Sequence, residues 1–347
     1  MSEDIKLFVS CHKLDTHIPD NALLQPIQVG AALAASRMPN LLHDDEGDSI
    51  SEKNRSYCEL TGQYWAWQNT DADYYGFLHY RRYFNFSKTE YPIHHEPFIF
   101  GDVTFDRNDD ETLQRIDFNE EAMRKVITAH DFIAPEPIEA LEKTTVYEQY
   151  RDSFGHHIED LDTVMDNIRL KYPDIWPSAQ KYLNQTKVYV CNMFVMRREL
   201  FRAYSAFLFD VLSTHEKMRD FSHYSPVARR VSGYLGERIC GMYLTYLYDK
   251  GYDGIDLQRV YFRNTDDGQR PATATGTTGE IETLNFDATV RGPGKIYSAI
   301  HVEHLSDDWQ FRISSTTSDG KQVPAKVVQA ASGPVAVFPI VAQSQTV

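Results

Sequence analysis

The segment Asp73-Tyr-Tyr-Gly-Phe-Leu-His-Tyr-Arg-Arg-Tyr83 begins as an apolar, aromatic run typical of a buried β-strand and ends in a polar and aromatic cluster. Placing two adjacent guanidiniums at the end of a buried strand costs free energy unless an anion binds them. The planar set of N–H donors in arginine matches the oxygens of a phosphate or a carboxylate. In open α/β sheets, ligands lie beyond the carboxyl ends of the strands. The segment therefore indicates a site for a phosphorylated ligand at Arg81 and Arg82. The alternative is a pair of surface arginines in ion pairs with acidic neighbours.

Composition sets the class of protein. The chain has 347 residues, 42% of them hydrophobic, which is ample for a folded core. Its net charge of −15 argues against nucleic acid as a general partner. Four scattered cysteines form no CxxC pair, and neither an N-terminal signal peptide nor an 18-residue apolar stretch is present. These features predict a cytoplasmic protein, peripheral to a membrane at most.

The order of the segments predicts two domains. Strand-like and helix-like segments alternate up to residue 262, which indicates an α/β domain over residues 1–263. Residues 264–282 are rich in Thr, Gly and Ala and resemble a linker. Short alternating segments separated by turn residues follow, and they predict a small β-sandwich-like module over residues 283–347.

Four local predictions within the first domain depend on pattern alone. We expect one helix from Ser51 to Asn69, capped by Ser51, and a second over Val146–Tyr172 with solvated His156-His157 inside it. Val188–Met196 reads as one apolar strand, and residues 88–121 as a long irregular excursion over the surface.

The acidic loop before residue 51 is the next candidate site. Asp44, Asp45, Glu46 and Asp48 lie within five residues, and such a cluster can bind Mg²⁺ or Mn²⁺ or accept hydrogen bonds from sugar hydroxyls. A solvated acidic loop is the alternative. Lys53-Asn54 follows and offers donors for a phosphate at the start of the next helix.

Two later segments contribute polar groups that have more than one interpretation. Asn192, in an apolar run, needs hydrogen-bond partners from a ligand or from the protein. Glu237 and Arg238 lie near the start of a helix. There Glu237 is either a general base for an acceptor hydroxyl or a favourable charge at the positive end of the helix dipole. No phosphate-binding glycine loop and no Gly-x-Ser-x-Gly elbow occurs, which argues against P-loop, Rossmann-type dinucleotide and serine-hydrolase sites.

Several uncommon motifs occur in a characteristic order. They are Pro26-Ile-Gln-Val-Gly30, Asp45-Glu-Gly-Asp-Ser-Ile-Ser51, Lys53-Asn54, Tyr57-Cys-Glu-Leu-Thr61, Tyr64-Trp-Ala-Trp67, His79-Tyr-Arg-Arg-Tyr-Phe84, Asn192-Met-Phe194 and Gly233-Tyr-Leu-Gly-Glu-Arg238. Over about residues 4–263 the set resembles the domain of unknown function 4422, which is found in bacterial capsular and exopolysaccharide glycosyltransferases.

The resemblance implies a GT-A-like (Rossmann-like) α/β fold with a mixed sheet flanked by helices. It also implies transfer of a hexosyl unit from a nucleotide sugar, such as UDP-galactose or UDP-galactofuranose, to a growing cell-surface polysaccharide. The acceptor would be a lipid-linked or nascent glycan, met at the inner face of the plasma membrane. The competing hypotheses are a non-catalytic carbohydrate-binding protein and a scaffold of polysaccharide assembly.

The same resemblance suggests roles for residues. Arg81 and Arg82 would hold the diphosphate beside His79, and Glu237 would be the base if the enzyme inverts configuration. The other expected substrate contacts are His12, Asp45, Asp48, Lys53, Asn54, Tyr80, Tyr83, Asn192 and Arg238. Many GT-A enzymes carry an Asp-x-Asp metal motif where this chain has His79-Tyr-Arg-Arg82. Arginines in place of a metal would neutralise the leaving diphosphate, so dependence on Mn²⁺ or Mg²⁺ stays open.

Overall fold

The computed structural model describes residues 2–12, 16–96, 99–140 and 144–265, together with five short strands after residue 298. The chain divides into two compact units, Met1–Gly276 and Thr277–Val347.

The first unit is built on an 11-stranded mixed sheet within the described residues. The strands of this unit are β1 (Ile5–Cys11), β2 (Leu24–Gln28), β3 (Leu42–His43), β4 (Tyr74–His79), β5 (Arg82–Phe84), β6 (Ile93–Glu96), β7 (Ile99–Arg107), β8 (Phe132–Pro135), β9 (Ile138–Glu139), β10 (Lys187–Val188), β11 (Phe194–Arg197), β12 (Gly254–Leu257) and β13 (Arg259–Asn264). Of these, β9 and β10 pair only with each other.

Strand direction decides where a ligand site can form. Strands β3, β2, β1 and β4 are parallel neighbours, with Ile5 opposite Tyr74 and Leu7 opposite Leu24. Strand β4 also pairs antiparallel with β11 and, through a tight hairpin, with β5. Strand β13 continues the sheet from β5 to β7. The carboxyl ends of four parallel strands therefore meet at one edge, where α/β sheets bind their ligands.

Helices cover both faces of this sheet. They are α1 (Asn54–Tyr57), α2 (Leu60–Asn69), α3 (Asp110–Arg115), α4 (Glu120–Ile127), α5 (Val146–Asp152), α6 (Ile158–Lys171), α7 (Trp176–Asn184), α8 (Arg198–Met218) and α9 (Val231–Asp249). Alternate side chains of β1 enter opposite cores: Phe8 packs on the side of α2, α8 and α9, and Leu7 and Val9 on the side of α3 and α4. The predicted α/β fold with a mixed, helix-flanked sheet is confirmed.

The predicted helix from Ser51 to Asn69 is interrupted. Cys58 adopts a left-handed backbone (φ 51°) and separates α1 from α2. Ser51 does not cap the helix, because its hydroxyl oxygen accepts from the Ala32 amide at 3.0 Å while the hydroxyl donates to Asp44 Oδ1 at 2.5 Å. The break lets α1 pack closely on α9, where a Cβ at Gly233 would lie 3.0 Å from Cys58 Sγ.

The prediction of an irregular excursion over residues 88–121 was wrong. The segment supplies strands β6 and β7 and helix α3, and β7 pairs in parallel with β13. The polar residues of this segment suggested a surface loop. One of them, Asp102 in the middle of β7, is instead buried (1% exposed) and pairs with two arginines. A charged residue inside a strand therefore marked a buried ion cluster here instead of a loop.

The predicted helix over Val146–Tyr172 is also broken, into α5 and α6. Gly155 adopts a left-handed conformation (φ 76°) in the turn between them. His156 lies in this turn and not on a solvated helix face. Its ring sits between those of Tyr150 and Tyr234, with centroids 4.4 and 4.2 Å away. Burial and the nearby Arg238 guanidinium lower the pKa of His156 to about 3.

The second unit is described only as backbone strands. They are β14 (Ala299–Ile300), β15 (Ser314–Thr316), β16 (Gln322–Pro324), β17 (Lys326–Ala330) and β18 (Gly333–Val337). All of their pairings are antiparallel. Most of the predicted linker (266–282) lies outside the described residues, so the linker and the β-sandwich stay predictions. In the described part of the chain, no helix has both the length and the apolar character needed to span a bilayer.

Candidate functional site

Arg81 is a cation at the carboxyl edge of the parallel strands, directly after β4. Its guanidinium lies over the rings of Tyr80 (5.4 Å) and Tyr261 (4.9 Å), and it contacts no carboxylate among the described residues. The ring of His12, which follows β1, meets Tyr80 edge to face at 5.0 Å. The charge of Arg81 is thus held by aromatic faces and is available to an anion.

Arg82 is placed differently, because it belongs to a buried ion cluster. Its Nε donates to Asp102 Oδ2 at 3.2 Å, and Arg259 Nε donates to Asp102 Oδ1 at 2.6 Å. The Arg82 guanidinium also lies 4.8 Å from the ring of Tyr261. One carboxylate shared by two guanidiniums leaves this part of the edge positive, so Arg82 reinforces the potential that an anion at Arg81 meets.

Replacing Asp102 by asparagine is expected to lower the free energy of unfolding by about 3–5 kcal/mol, since the buried Arg259 and the half-buried Arg82 would lose their shared countercharge. Urea unfolding measures the loss. Asp106→Asn is the matched control, because the Asp106 side chain is 74% exposed on the same strand and changes of this kind shift stability by about 0.5 kcal/mol or less. Equal effects of the two substitutions would contradict the ion cluster.

Cys191 joins the end of β4 to helix α9. His79 Nε2 lies 2.6 Å from the carbonyl oxygen of Cys191, and the Cys191 amide donates to Glu237 Oε1 at 2.9 Å. Cys191 (φ 76°) and Asn192 (φ 48°) both have left-handed backbones. The predicted strand over 188–196 is therefore split into β10 and β11. Two successive strained residues at a ligand edge are a common feature of functional sites.

His79 is a neutral donor in this arrangement. A carbonyl oxygen can only accept, so the ring proton is on Nε2. Burial and the adjacent Arg82 guanidinium lower the pKa of His79 to about 4. The negative charge of Glu237 acts in the opposite direction, but its effect is smaller. His79 is therefore uncharged at neutral pH and orients the Cys191 peptide. A direct part in catalysis stays a prediction.

Glu59 is a site residue that the sequence reasoning missed. Its Oε1 accepts from Asn192 Nδ2 at 2.7 Å, and burial, only partly offset by that hydrogen bond, raises the pKa of Glu59. Two carboxylates, Glu59 and Glu237, thus bond to neighbouring residues of one strained turn. The available signal was Tyr57-Cys-Glu-Leu-Thr61, an ordered motif with a single acid between apolar residues.

Two glycines of α9 bring the helix against this turn. A Cβ at Gly236 would lie 2.6 Å from Leu60 Cδ1 and 3.5 Å from Asn192 Oδ1. Gly233 faces Cys58 in the same way. A larger side chain at either glycine would push α9 outward, and Glu237 would lose its hydrogen bond from the Cys191 amide.

Asp44 anchors the acidic loop internally. It is fully buried, and its carboxylate accepts from the backbone amides of Gly30 (2.8 Å) and Ala31 (2.9 Å) and from the Ser51 hydroxyl. Because it is fully buried, this carboxylate is out of reach of a ligand at the surface, and it fixes the loop after β2 instead.

The other acids of the loop also have protein partners. Asp45 and Glu46 pair with Arg37 at 2.7 and 3.0 Å, and Asp48 accepts from the Tyr64 hydroxyl at 3.2 Å. No three His, Cys, Asp or Glu side chains are grouped to hold an ion within residues 2–12, 16–96, 99–140 and 144–265. The donor set of this loop does not fit Mg²⁺ or Mn²⁺, and dependence of the reaction on either ion stays a prediction.

The predicted phosphate donors after the loop are likewise engaged. Lys53 Nζ pairs with Glu216 Oε2 at 2.7 Å. The Asn54 amide donates to the Cys58 carbonyl (2.7 Å) and to Thr61 Oγ1 (3.0 Å). Both residues stabilise the start of α1, and a role in substrate binding stays a prediction for each.

Three other predicted contacts are buried. Tyr83 is fully buried and stacks on Phe118 with centroids 4.7 Å apart. Arg238 is 2% exposed and donates to Gln149 Oε1 at 2.5 Å. Asn192 is 4% exposed, and its amide is bonded to Glu59. All three side chains have contacts within the protein and little exposure to solvent, and their part in substrate binding stays a prediction.

Comparisons with known proteins agree with this architecture. The family model described as a domain of unknown function (DUF4422) matches residues 6–248. The chain is similar to the apo structure of the bifunctional glycosyltransferase WbbM, with 30% identity and a TM-score of 0.69. The similarity covers 75% of this chain and 46% of that one, so this chain spans about half the length of the solved protein. No curated protein matches.

Proposed function

This chain belongs to the family of the domain of unknown function 4422, and from that premise we propose that it is a glycosyltransferase. It transfers a hexosyl unit from a nucleotide sugar to a glycan acceptor. The observation that carries the proposal is Arg81, a guanidinium without a carboxylate partner in the described chain, at the carboxyl edge of the parallel strands. The similarity to the bifunctional glycosyltransferase WbbM supports the same reaction class.

The donor is a UDP-sugar, with UDP-galactose and UDP-galactofuranose as the first candidates. Its diphosphate binds Arg81, and the Arg82–Asp102–Arg259 cluster supplies positive potential behind it. As the bond between the anomeric carbon and the diphosphate oxygen breaks, negative charge grows on the leaving group. A preorganised guanidinium stabilises that charge more than it stabilises the ground state, which lowers the barrier.

The acceptor side is formed by Glu237. One carboxylate oxygen, Oε1, is fixed by the Cys191 amide, which orients the group. In an inverting reaction Glu237 takes the proton of the acceptor hydroxyl while that oxygen bonds to the anomeric carbon and the diphosphate leaves. The acceptor is a lipid-linked or nascent glycan of a cell-surface polysaccharide, so the proposal includes a cytoplasmic protein that works at the membrane surface.

A thermal-shift series tests the donor class. UDP and UDP-sugars are expected to raise the melting temperature by several degrees at saturating concentration, because a ligand at about 100 times its Kd adds about 2.7 kcal/mol to stability. GDP and GDP-sugars serve as the comparison, each with and without Mn²⁺. Stabilisation by no UDP or GDP species would refute the transferase proposal. Stabilisation that requires Mn²⁺ would show that a metal site forms with residues or ligand groups beyond those described.

A further inference from the structure

Three arginines on one surface of the first unit contact no carboxylate among the described residues: Arg55, Arg229 and Arg230. All three are exposed. Elsewhere in the described chain exposed arginines usually have acidic partners, as Arg37 does with Asp45 and Glu46. Glu59 attracts Arg230 from beyond ion-pair distance, but three guanidiniums with no carboxylate at ion-pair distance in the described chain are unexpected for a net charge of −15, and they indicate an anionic partner.

The three arginines are contiguous. Helix α1, which carries Arg55, packs against the helical turn Ala228–Arg230. Arg230 Nε donates to Cys58 Sγ at 3.3 Å. Arg229 donates to the backbone carbonyls of Tyr224 (3.0 Å) and Ser222 (3.3 Å). These acceptors orient the side chains without cancelling their charge.

Exposed apolar side chains adjoin the arginines. Phe154 is 56% exposed and Val227 is 37% exposed, and each lies in a turn instead of a groove. The two turns touch, because a Cβ at Gly155 would lie 2.7 Å from Val227 Cγ1. We call Arg55, Phe154, Val227, Arg229 and Arg230 the basic–apolar face.

Acids near the basic–apolar face offset its positive charge only in part. Asp152 pairs with Arg151 at 2.8 Å. Asp220 accepts from the Ser222 amide at 2.9 Å and from its hydroxyl at 3.0 Å. Asp220 keeps its negative charge, as does the exposed Glu52 three residues before Arg55, but the three guanidiniums outnumber these acids and the face stays positive.

We propose that the basic–apolar face docks this protein on an anionic phospholipid bilayer. The guanidiniums bind lipid phosphates, and Phe154 and Val227 enter the headgroup boundary. A bilayer is favoured over a folded acidic partner because single apolar side chains on turns suit a deformable surface, whereas a stable protein interface needs about 800 Å² of matched surface on each partner. The face also borders the candidate site, since Arg230 contacts Cys58, which precedes Glu59.

Vesicle co-sedimentation of the full chain tests this proposal independently of any transferase activity. Vesicles of phosphatidylcholine with phosphatidylglycerol are expected to bind the protein, and vesicles of phosphatidylcholine alone are not. Arg55→Gln should weaken the partition about fivefold, from the usual contribution of one basic residue at an anionic surface. Phe154→Ser should weaken it about tenfold through loss of apolar burial. Added salt should weaken the binding of every variant that binds.

The controls match these substitutions in type but lie outside the face. Arg169 pairs with Asp166, and Leu170 is 78% exposed, so Arg169→Gln and Leu170→Ser are expected to bind as the parent does. Circular-dichroism melting verifies that all four variants fold. Equal binding to both vesicle types, or equal loss in face and control variants, would overturn the proposal. Binding to a soluble polyanion such as heparin without binding to vesicles would assign the face to an acidic macromolecule and also overturn it.

Discussion

Arg81→Ala is expected to reduce kcat/KM for the nucleotide-sugar donor by about 10²- to 10³-fold, the usual loss when one preorganised donor to a developing oxyanion is removed. Arg81 contacts only the rings of Tyr80 and Tyr261 among the described residues, so its removal breaks no ion pair. The melting temperature without ligand should therefore change little. The thermal shift produced by UDP should shrink in parallel with activity.

Arg115→Ala is the matched control for this substitution. Arg115 also lies over two rings, those of Tyr91 (5.5 Å) and Phe105 (4.8 Å), and it also contacts no carboxylate in the described chain. It is at the end of α3 and not at the carboxyl edge of β1 and β4. We expect its loss to leave donor binding and turnover unchanged. A full thermal shift by UDP in Arg81→Ala would show that the diphosphate binds elsewhere.

Glu237→Gln is expected to lower kcat by about 10²- to 10⁴-fold, the contribution typical of a general base. Glutamine keeps an oxygen that can accept from the Cys191 amide, but it removes both the proton acceptor and the 3.5 Å ion pair of Glu237 with the buried Arg238. A melting curve of the variant shows whether loss of the ion pair disturbs the fold. Donor binding, read as the thermal shift with UDP, should persist. Steady-state and single-turnover rates separate the two effects.

Glu199→Gln is the control for Glu237→Gln, because Glu199 is an exposed glutamate (76% side-chain exposure) at the start of α8. It should retain full activity. The competing interpretation, a charge favoured by the helix dipole, fits Glu237 poorly, since α9 begins at Val231 and the dipole acts within the first turn. Undiminished kcat in Glu237→Gln would refute the base and favour a retaining mechanism.

Local sequence patterns correctly predicted elements in which the buried side chains are apolar. The strand that ends at His79 lies where the hydrophobic pattern indicated it. Prediction failed where a polar residue was buried by a distant partner. Asp102 in β7 is the clearest case, because its arginine partners are 20 and 157 residues away along the chain.

The candidate site was only partly predictable for the same reason. The sequence pattern does not distinguish Arg81 from Arg82. In the fold, Arg82 pairs with Asp102, whereas Arg81 lies over aromatic rings. In the acidic loop, Asp44 accepts from two backbone amides and Asp45 pairs with Arg37, and contacts of Asp45 and Asp48 with a sugar or a metal stay predictions. Charge and spacing identify candidate groups, but not which of them a neighbouring segment has already neutralised.

By itself the sequence determined the α/β class, the family and the aromatic strand that ends in two arginines. These follow from periodicity and motif order, which are properties of neighbouring residues. Only the tertiary structure decided that Cys191 would link His79 to Glu237, and that Glu59 would join them through Asn192. Those contacts span 46 to 133 residues along the chain, and their formation depends on how closely the glycines of α9 let helices and sheet approach.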